Sequence, residues 1–185
     1  MLSLFHHDKP ITNNRVLYPM KELIPGDPLI TLDQAKSWLK MDGITADNEN
    51  IQSIIDAGIE WIERICAISI QAYTVTATVE IHNRIELPYG PVTEIISIND
   101  VPFADVKGCR IIGPSIGFPR LAGYGLFIVV YKTGYNPIPP GIFLALKEYI
   151  SWCYEHRGDN YDENDSDFCL VAKRQLSTFR RNIGV

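Results

Sequence analysis

The sequence predicts an α+β fold in which three main helices pack with a small antiparallel β-sheet, between an extended N-terminal arm and a C-terminal helical tail. Changes in hydrophobic period indicate this order, because apolar residues recur at helical spacing over 49–66 and alternate over 73–81. The 185 residues are 46% hydrophobic and 21% charged, which is typical of one globular domain. The predicted organisation is an arm over 1–30, a core domain over 31–158 and a tail over 159–185.

The N-terminal arm shows no sustained hydrophobic period. Its prolines are Pro10, Pro19, Pro25 and Pro28. Each proline fixes its own φ and restricts the residue before it, so the arm is predicted to be extended and not a packed element. Apolar residues such as Leu4, Phe5 and Leu17 are too frequent for a solvated linker. We therefore expect the arm to lie on its own domain or on a neighbouring subunit.

Two helices are predicted after the arm. Thr31 and Gln34 have the spacing of a capping box, so a short helix should run from there to about Lys40. The second helix is predicted at about Glu49–Cys66. Its solvent-facing stripe is expected to be Gln52, Asp56, Glu60 and Glu63. Its inward residues are expected to be Ile51, Ile55, Ile62 and Ile65.

Strict alternation from Tyr73 to Ile81 predicts a half-buried antiparallel strand. Turns are predicted at His82-Asn83-Arg84, Asn99-Asp100 and Lys107-Gly108. Ile85–Leu87 is expected to begin a partner strand that resumes, after an interruption, as Val92–Ile98. Further strands are predicted at Cys109–Ile112 and Leu126–Lys132, with a loop over Gly113–Gly125 between them.

A long helix is predicted at about Pro140–Arg157, since proline can begin a helix and Gly158 can end one. Its polar stripe is narrow and the rest of its circumference is apolar, so it must be covered on most sides. A small sheet and two other helices offer limited cover. This favours contact with another subunit, and we name Tyr149 and Trp152 as candidate interface residues.

The tail is polarised in charge. Residues 159–167 carry acids without bases, and 173–181 carry bases without acids. Such a tail can pair with the opposite charges of a neighbour. Its candidates for a subunit or portal interface are Asp162, Glu163, Lys173, Arg174, Arg180 and Arg181.

Charge and composition narrow the classes of function. The net charge is −5 and the pI about 5.3, which argues against a protein that coats nucleic acid. No apolar run approaches the ~20 residues that cross a bilayer, and the first residues contain no apolar signal core. The cysteines form no Cys-x-x-Cys pair and are expected to be buried and reduced, which implies the cytoplasm. They are Cys66, Cys109, Cys153 and Cys169.

No motif for a metal or a cofactor is present, because the four histidines are scattered and no phosphate-binding loop occurs. Three short motifs offer an enzymatic alternative, a serine acyl-transfer enzyme of the penicillin-binding type with Ser37 as nucleophile and Lys40 and Lys132 as its bases and anchors. These motifs are Ser37-Trp38-Leu39-Lys40, Ser97-Ile98-Asn99 and Lys132-Thr133-Gly134. Ser37 lies near the end of a short helix, however, where that family needs the start of a long one. A further alternative is a small module that binds a host protein or nucleic acid through the basic tail.

Four segments resemble, in order, the head–tail connector (head-completion adaptor) family of tailed phages. They cover about residues 30–185. They are Ile30-Thr31-Leu32-Asp33-Gln34-Ala35-Lys36 through Leu39; Leu87-Pro88-Tyr89-Gly90-Pro91-Val92 with Ile95 to Ile98; Val130-Tyr131-Lys132-Thr133-Gly134-Tyr135 with Pro137 to Pro140 and Trp152 to Arg157; and Ala172 to Arg181.

The resemblance implies a structural virion protein without catalytic, cofactor or metal residues. Members of that family form a ring, commonly of twelve copies, below the portal protein at the neck of the virion. The ring extends the DNA channel, through which DNA passes without specific binding, and presents a surface to the next tail or stopper protein. Synthesis in the host cytoplasm and no contact with a membrane are expected. A closed ring would also satisfy the uncovered apolar and charged surfaces predicted above.

Overall fold

The computed structural model describes residues 15–81, 84–107, 110–112, 115–117, 125–158 and 168–181. Within these ranges the chain has four α-helices and an antiparallel five-stranded sheet, so the predicted α+β class is confirmed. The helices are α1 (Leu32–Trp38), α2 (Asn48–Cys66), α3 (Pro140–Glu155) and α4 (Leu170–Leu176). The strands are β1 (Arg15–Leu23), β2 (Tyr73–Ile81), β3 (Arg84–Glu86), β4 (Val92–Ile98), β5 (Val101–Pro102), β6 (Arg110–Ile112), β7 (Ser115–Gly117) and β8 (Gly125–Thr133).

The main sheet has the strand order β1-β2-β8-β4-β5. The alternation predicted for β2 is confirmed, because Val75, Ala77 and Val79 are buried and the threonines between them face the other side. β8 contributes the buried residues Val129 and Tyr131 to the same face. Together with residues of β4 and Leu87, they form one of the two hydrophobic clusters of the protein, the sheet cluster.

The prediction for the N-terminal arm is wrong over part of its length. Arg15–Leu23 is extended, as expected, but it is a packed element, the edge strand β1, which pairs antiparallel with β2. A register shift between Leu17 and Met20, on either side of Pro19, allows a proline in the strand. The arm thus lies on its own domain from Arg15 onward, and residues 1–14 lie outside the described range.

A second sheet of three short strands, β3-β7-β6, corrects two expectations. β3 pairs with β7 and not with β2 or β4, and β7 lies within the segment predicted to be only a loop, Gly113–Gly125. Three-residue strands are too short to establish a period of two, so the sequence pattern could not reveal them. The predicted turns at His82-Asn83 and Gly108, and the start of a strand at Cys109, fall outside the described residues.

The helices form the second hydrophobic cluster, the helical cluster. α1 begins with the predicted capping box, in which Thr31 and Gln34 bond each other's backbone N–H groups. α2 buries Ile51, Ile55 and Ile62 as expected, and it ends at Ala67 in the left-handed conformation. The boundaries predicted for α2 and α3 agree with the structure within two residues.

The chain itself covers most of α3, which corrects the expectation that another subunit is needed to cover it. α2 packs against one side and the segment beginning at Phe168 packs with α4 against another. Ile142, Leu146 and Ile150 are completely buried as a result. The apolar surface predicted from the helix is real, but the C-terminal tail folds back to bury it.

Candidate interaction surfaces

Glu63 of α2 joins the helical cluster to the sheet. Its carboxylate accepts hydrogen bonds from the Lys21 ammonium group at 2.8 Å, the Ile70 backbone N–H at 2.7 Å and the Tyr73 hydroxyl at 3.3 Å. Only 10% of the Glu63 side chain is exposed. Burial, followed by the negative charge of Glu63, raises the pKa of Tyr73.

The expectation that Glu63 faces solvent is therefore wrong. Lys21, its ionic partner, is 42 residues away on β1 and also lies over the rings of Tyr73 and Tyr89, at 4.0 and 4.7 Å from their centroids. Because the period of a helix reports only which side a residue occupies, no local pattern could pair Glu63 with Lys21.

Arg181 joins the same two parts of the molecule from the C-terminal side. Its Nη2 group donates to the Leu87 carbonyl at 3.2 Å, and its backbone N–H donates to the Cys66 carbonyl at 3.0 Å. The guanidinium lies directly against Gly90, where any side chain would overlap it. Arg181 was expected to contact a neighbouring subunit or the portal. The structure places it within its own fold instead.

The two aromatic candidates, Tyr149 and Trp152, also have intramolecular roles. Tyr149 is only 8% exposed and packs against Trp61 and Phe168, with ring centroids 5.0 and 6.0 Å apart. This burial contradicts its expected place on a subunit surface. Trp152 is half-buried, meets Phe168 edge-on at 4.6 Å and stacks on His156 at 4.4 Å. Phe168, which the sequence analysis did not single out, thus fixes the tail on α3.

Asp47 connects the start of α2 to the end of α3. Its Oδ2 atom accepts hydrogen bonds from the Tyr154 hydroxyl at 2.5 Å and from Arg157 Nη1 at 3.0 Å. These two donors lower the pKa of Asp47, and the bond to Asp47 raises the pKa of Tyr154. The arrangement stabilises the packing of two helices and leaves no open position at this carboxylate for chemistry.

A shallow groove of about 330 Å³ lies between α1 and α3. Its lining residues are Gln34, Ser37, Trp38, Phe143 and Lys147. Trp38 Nε1 donates to the Ser151 hydroxyl at 2.8 Å, and the Lys147 ammonium lies 4.9 Å from the Trp38 ring centroid. The groove is therefore an aromatic surface with one cation.

The acyl-transfer alternative requires Ser37, Lys40 and Lys132 to meet. Ser37 lies in this groove, but neither lysine lines it. Lys132 is on β8, where it forms an ion pair of 2.8 Å with Glu94 on the outward side of the sheet. The structure does not bring the three residues together as a catalytic group.

The basic residues of the tail occupy different environments. Lys173 is half-buried, with its ammonium 5.4 Å from the Phe168 ring centroid. Arg174 and Arg180 are exposed. Asp162 and Glu163, the acidic candidates, lie outside the described residues, so their predicted interface role stays a prediction.

Cys66, Cys153 and Cys169 are buried free thiols, as expected, while Cys109 lies outside the described part of the chain. Burial raises the pKa of Cys66 to about 11, and a hydrogen bond with Cys153 together with burial raises the pKa of Cys169. Among the described residues, no group of three or more His, Cys, Asp and Glu side chains could hold a metal ion. The same residues include no helix of the length and apolarity needed to span a membrane.

Comparison of the fold with solved structures gives matches over 90% of this chain. A chain of the "Virion of native gene transfer agent (GTA) particle" has a TM-score of 0.64 and 17% identity. A chain of the "Neck of empty GTA particle computed with C6 symmetry" has a TM-score of 0.63 and 16% identity. A chain of the "Neck of native GTA particle computed with C12 symmetry" has a TM-score of 0.57 and 16% identity. Each match covers 98% of the other chain.

No protein-family model and no curated protein matches the sequence. The likeness to the neck chains is therefore one of fold, and it extends over nearly the whole of both chains. The resemblance of the sequence to phage head–tail connectors is confirmed at this level, since the chain has the fold of chains found in a phage-like neck.

Proposed function

We propose that this protein is a non-enzymatic structural subunit of a virion neck. In this proposal it forms a ring, of twelve copies, below the portal protein, connects the capsid to the tail and extends the DNA channel. The observation that carries the proposal is the match in fold, over 90% of this chain and 98% of the other, to chains of gene transfer agent necks.

Ring formation is supported by the symmetry of those particles, which were computed with C6 and C12 symmetry. A ring of identical subunits uses two different surface patches on each copy, and it closes without leaving either patch free. The proposed partners are further copies of the chain, the portal protein on one side, and the next tail or stopper protein on the other.

The proposed passage of DNA without specific binding is supported by charge. The chain has 22 acidic and 17 basic residues, so phosphates are repelled on average and not held. We place the assembled protein in the neck of the virion, after synthesis in the host cytoplasm.

Electron microscopy and native mass spectrometry of the purified chain, alone and mixed with portal rings, test this proposal. We expect closed rings whose mass is a multiple of 20.9 kDa, with twelve copies when bound to a portal ring. A chain that stays monomeric at high concentration and does not associate with portal rings would overturn the proposal.

A further inference from the structure

One side of the five-stranded sheet is exposed and apolar, and we call it the open face. The outward residues of β2, Thr74, Thr76 and Thr78, lie opposite Lys132, Val130 and Ile128 of β8. Leu126 is 60% exposed, Ile128 43% and Met20, on β1, 69%. Apolar side chains lying side by side on three neighbouring strands form a surface that is suited to a protein partner.

The edges of this sheet do not invite a partner strand. Both edge strands contain a proline, Pro19 in β1 and Pro102 in β5, and proline offers no backbone N–H for pairing. β5 is only two residues long, and the pairing of β4 with β8 is interrupted by two register shifts. A partner of this sheet is therefore expected on its open face and not along its edges.

A second exposed apolar patch lies on α4. Leu170 and Val171 are 39% and 52% exposed, while Ala172 and Leu176 point into the helical cluster. Arg174 is exposed one turn after Leu170 and Val171, on the same side of the helix. We call these three residues the α4 patch. It combines apolar contact with one positive charge.

The open face offers the opposite charge beside an apolar residue. It carries three carboxylates, of which Glu94 is bonded to Lys132 and Glu80 lies opposite Arg15 in the strand register. Glu22 lies opposite the neutral residue Thr74 and is exposed two residues after Met20. An acid next to an apolar side chain on the sheet thus matches a base next to apolar side chains on α4.

We infer that, in the ring, the α4 patch of one subunit packs on the open face of the next, with Arg174 beside Glu22. The inference rests on the proposed function and specifies its subunit interface. The contact joins two different surfaces of the same chain, which is what a ring requires, and it places a helix across an open sheet.

Cross-linking tests this contact directly. In a Cys109→Ser background, in which the remaining cysteines are buried, the double variant Met20→Cys with Val171→Cys is treated with a short bismaleimide. We expect a ladder of covalent dimers, trimers and higher species, because each subunit is joined to the next. Each single variant should give no ladder and no dimer. Dimers from either single variant would show that like patches meet and would overturn the inference.

Charge reversal provides the second test. Glu22→Arg and Arg174→Glu should each reduce the fraction of subunits in rings at least tenfold at low salt, while the double variant restores it. Ile128→Asp should also prevent rings, whereas the control Ile44→Asp, at 48% exposure and outside both patches, should not. Thermal melting of each variant checks that the monomer is folded.

The two proposals fail in different ways. If the unmodified chain forms no ring alone or with portal protein, the proposed function is wrong and so is the interface. If it forms rings that tolerate Ile128→Asp as well as they tolerate Ile44→Asp, and the double cysteine variant gives no ladder, only the inferred interface is overturned.

Discussion

Glu63 is the residue with which the helical cluster holds the sheet. We expect Glu63→Gln to lower the free energy of unfolding by about 1–3 kcal/mol, because the amide keeps the shape but leaves the Lys21 ammonium without its negative partner. Glu60→Gln, an exposed change on the same helix, should alter it by less than about 0.5 kcal/mol. Urea unfolding monitored by circular dichroism measures both, and equal effects would contradict the role assigned to Glu63.

Single residues were predictable where their neighbours in sequence decide their environment. The capping box at Thr31 and Gln34 is such a case, since its partners are three residues apart and the structure shows both bonds. Glu63, Tyr149 and Arg181 were not predictable, because each is placed by a contact with another part of the chain. An Arg near the C-terminus has the same sequence signal whether it meets a neighbouring subunit or its own backbone.

At the scale of elements, Gly134 sets the exit from β8 toward α3. Its φ of +127° is one that L side chains rarely adopt, and a Cβ there would lie 2.9 Å from the Ala72 Cα atom, against backbone that cannot move aside. We expect Gly134→Ala to cost about 3 kcal/mol or more. Gly26→Ala, where the nearest atom is the Ile24 carbonyl oxygen at 3.9 Å, should be within about 1 kcal/mol of the original chain.

Thermal melting of the two alanine variants makes this comparison. Similar melting temperatures for both would show that the chain can adapt at Gly134. The glycine would then not be required by the close approach of the 71–72 backbone to this turn.

Long elements could be predicted from the sequence and short ones could not. α2, β2, β4 and α3 each span seven residues or more, enough to show a period, and the predicted ranges agree with the observed ones within two residues. β7 has three residues and gives no such signal. β1 was missed as a strand for another reason, because Pro19 indicates an irregular chain, whereas the structure accommodates it at an edge beside a register shift.

At the scale of the whole molecule, the apolar surface of α3 could be predicted but the identity of its cover could not. Hydrophobic periodicity states that Ile142, Leu146 and Ile150 must be buried, and it is silent on whether the same chain or another one buries them. The structure answers with Phe168 and α4 of the same chain. The surfaces left for assembly are consequently the open face, the α4 patch and the aromatic groove, none of which the sequence pattern identified.

The separation of the helical and sheet clusters raises the question of whether they unfold together. The protein's three tryptophans, Trp38, Trp61 and Trp152, lie on helices, so their fluorescence reports the helical cluster. Hydrogen exchange of the buried β2 and β8 amides reports the sheet. Because Glu63 and Arg181 connect the two parts, we expect both probes to give the same free energy of unfolding in the original monomer.

Removing both connections should separate the two probes. In the double variant Glu63→Gln with Arg181→Ala, we expect fluorescence and exchange to differ by more than about 1 kcal/mol, because one cluster then unfolds while the other persists. The control Glu60→Gln with Arg180→Ala changes the charge in the same way at two exposed positions and should keep the probes together. Coincident transitions in the first variant would mean that the remaining backbone bonds, such as the one from Tyr135 N–H to the Ile70 carbonyl, are sufficient to couple the clusters. Separate transitions in the original chain would instead mean that a subunit becomes a single cooperative unit only when its neighbours hold it.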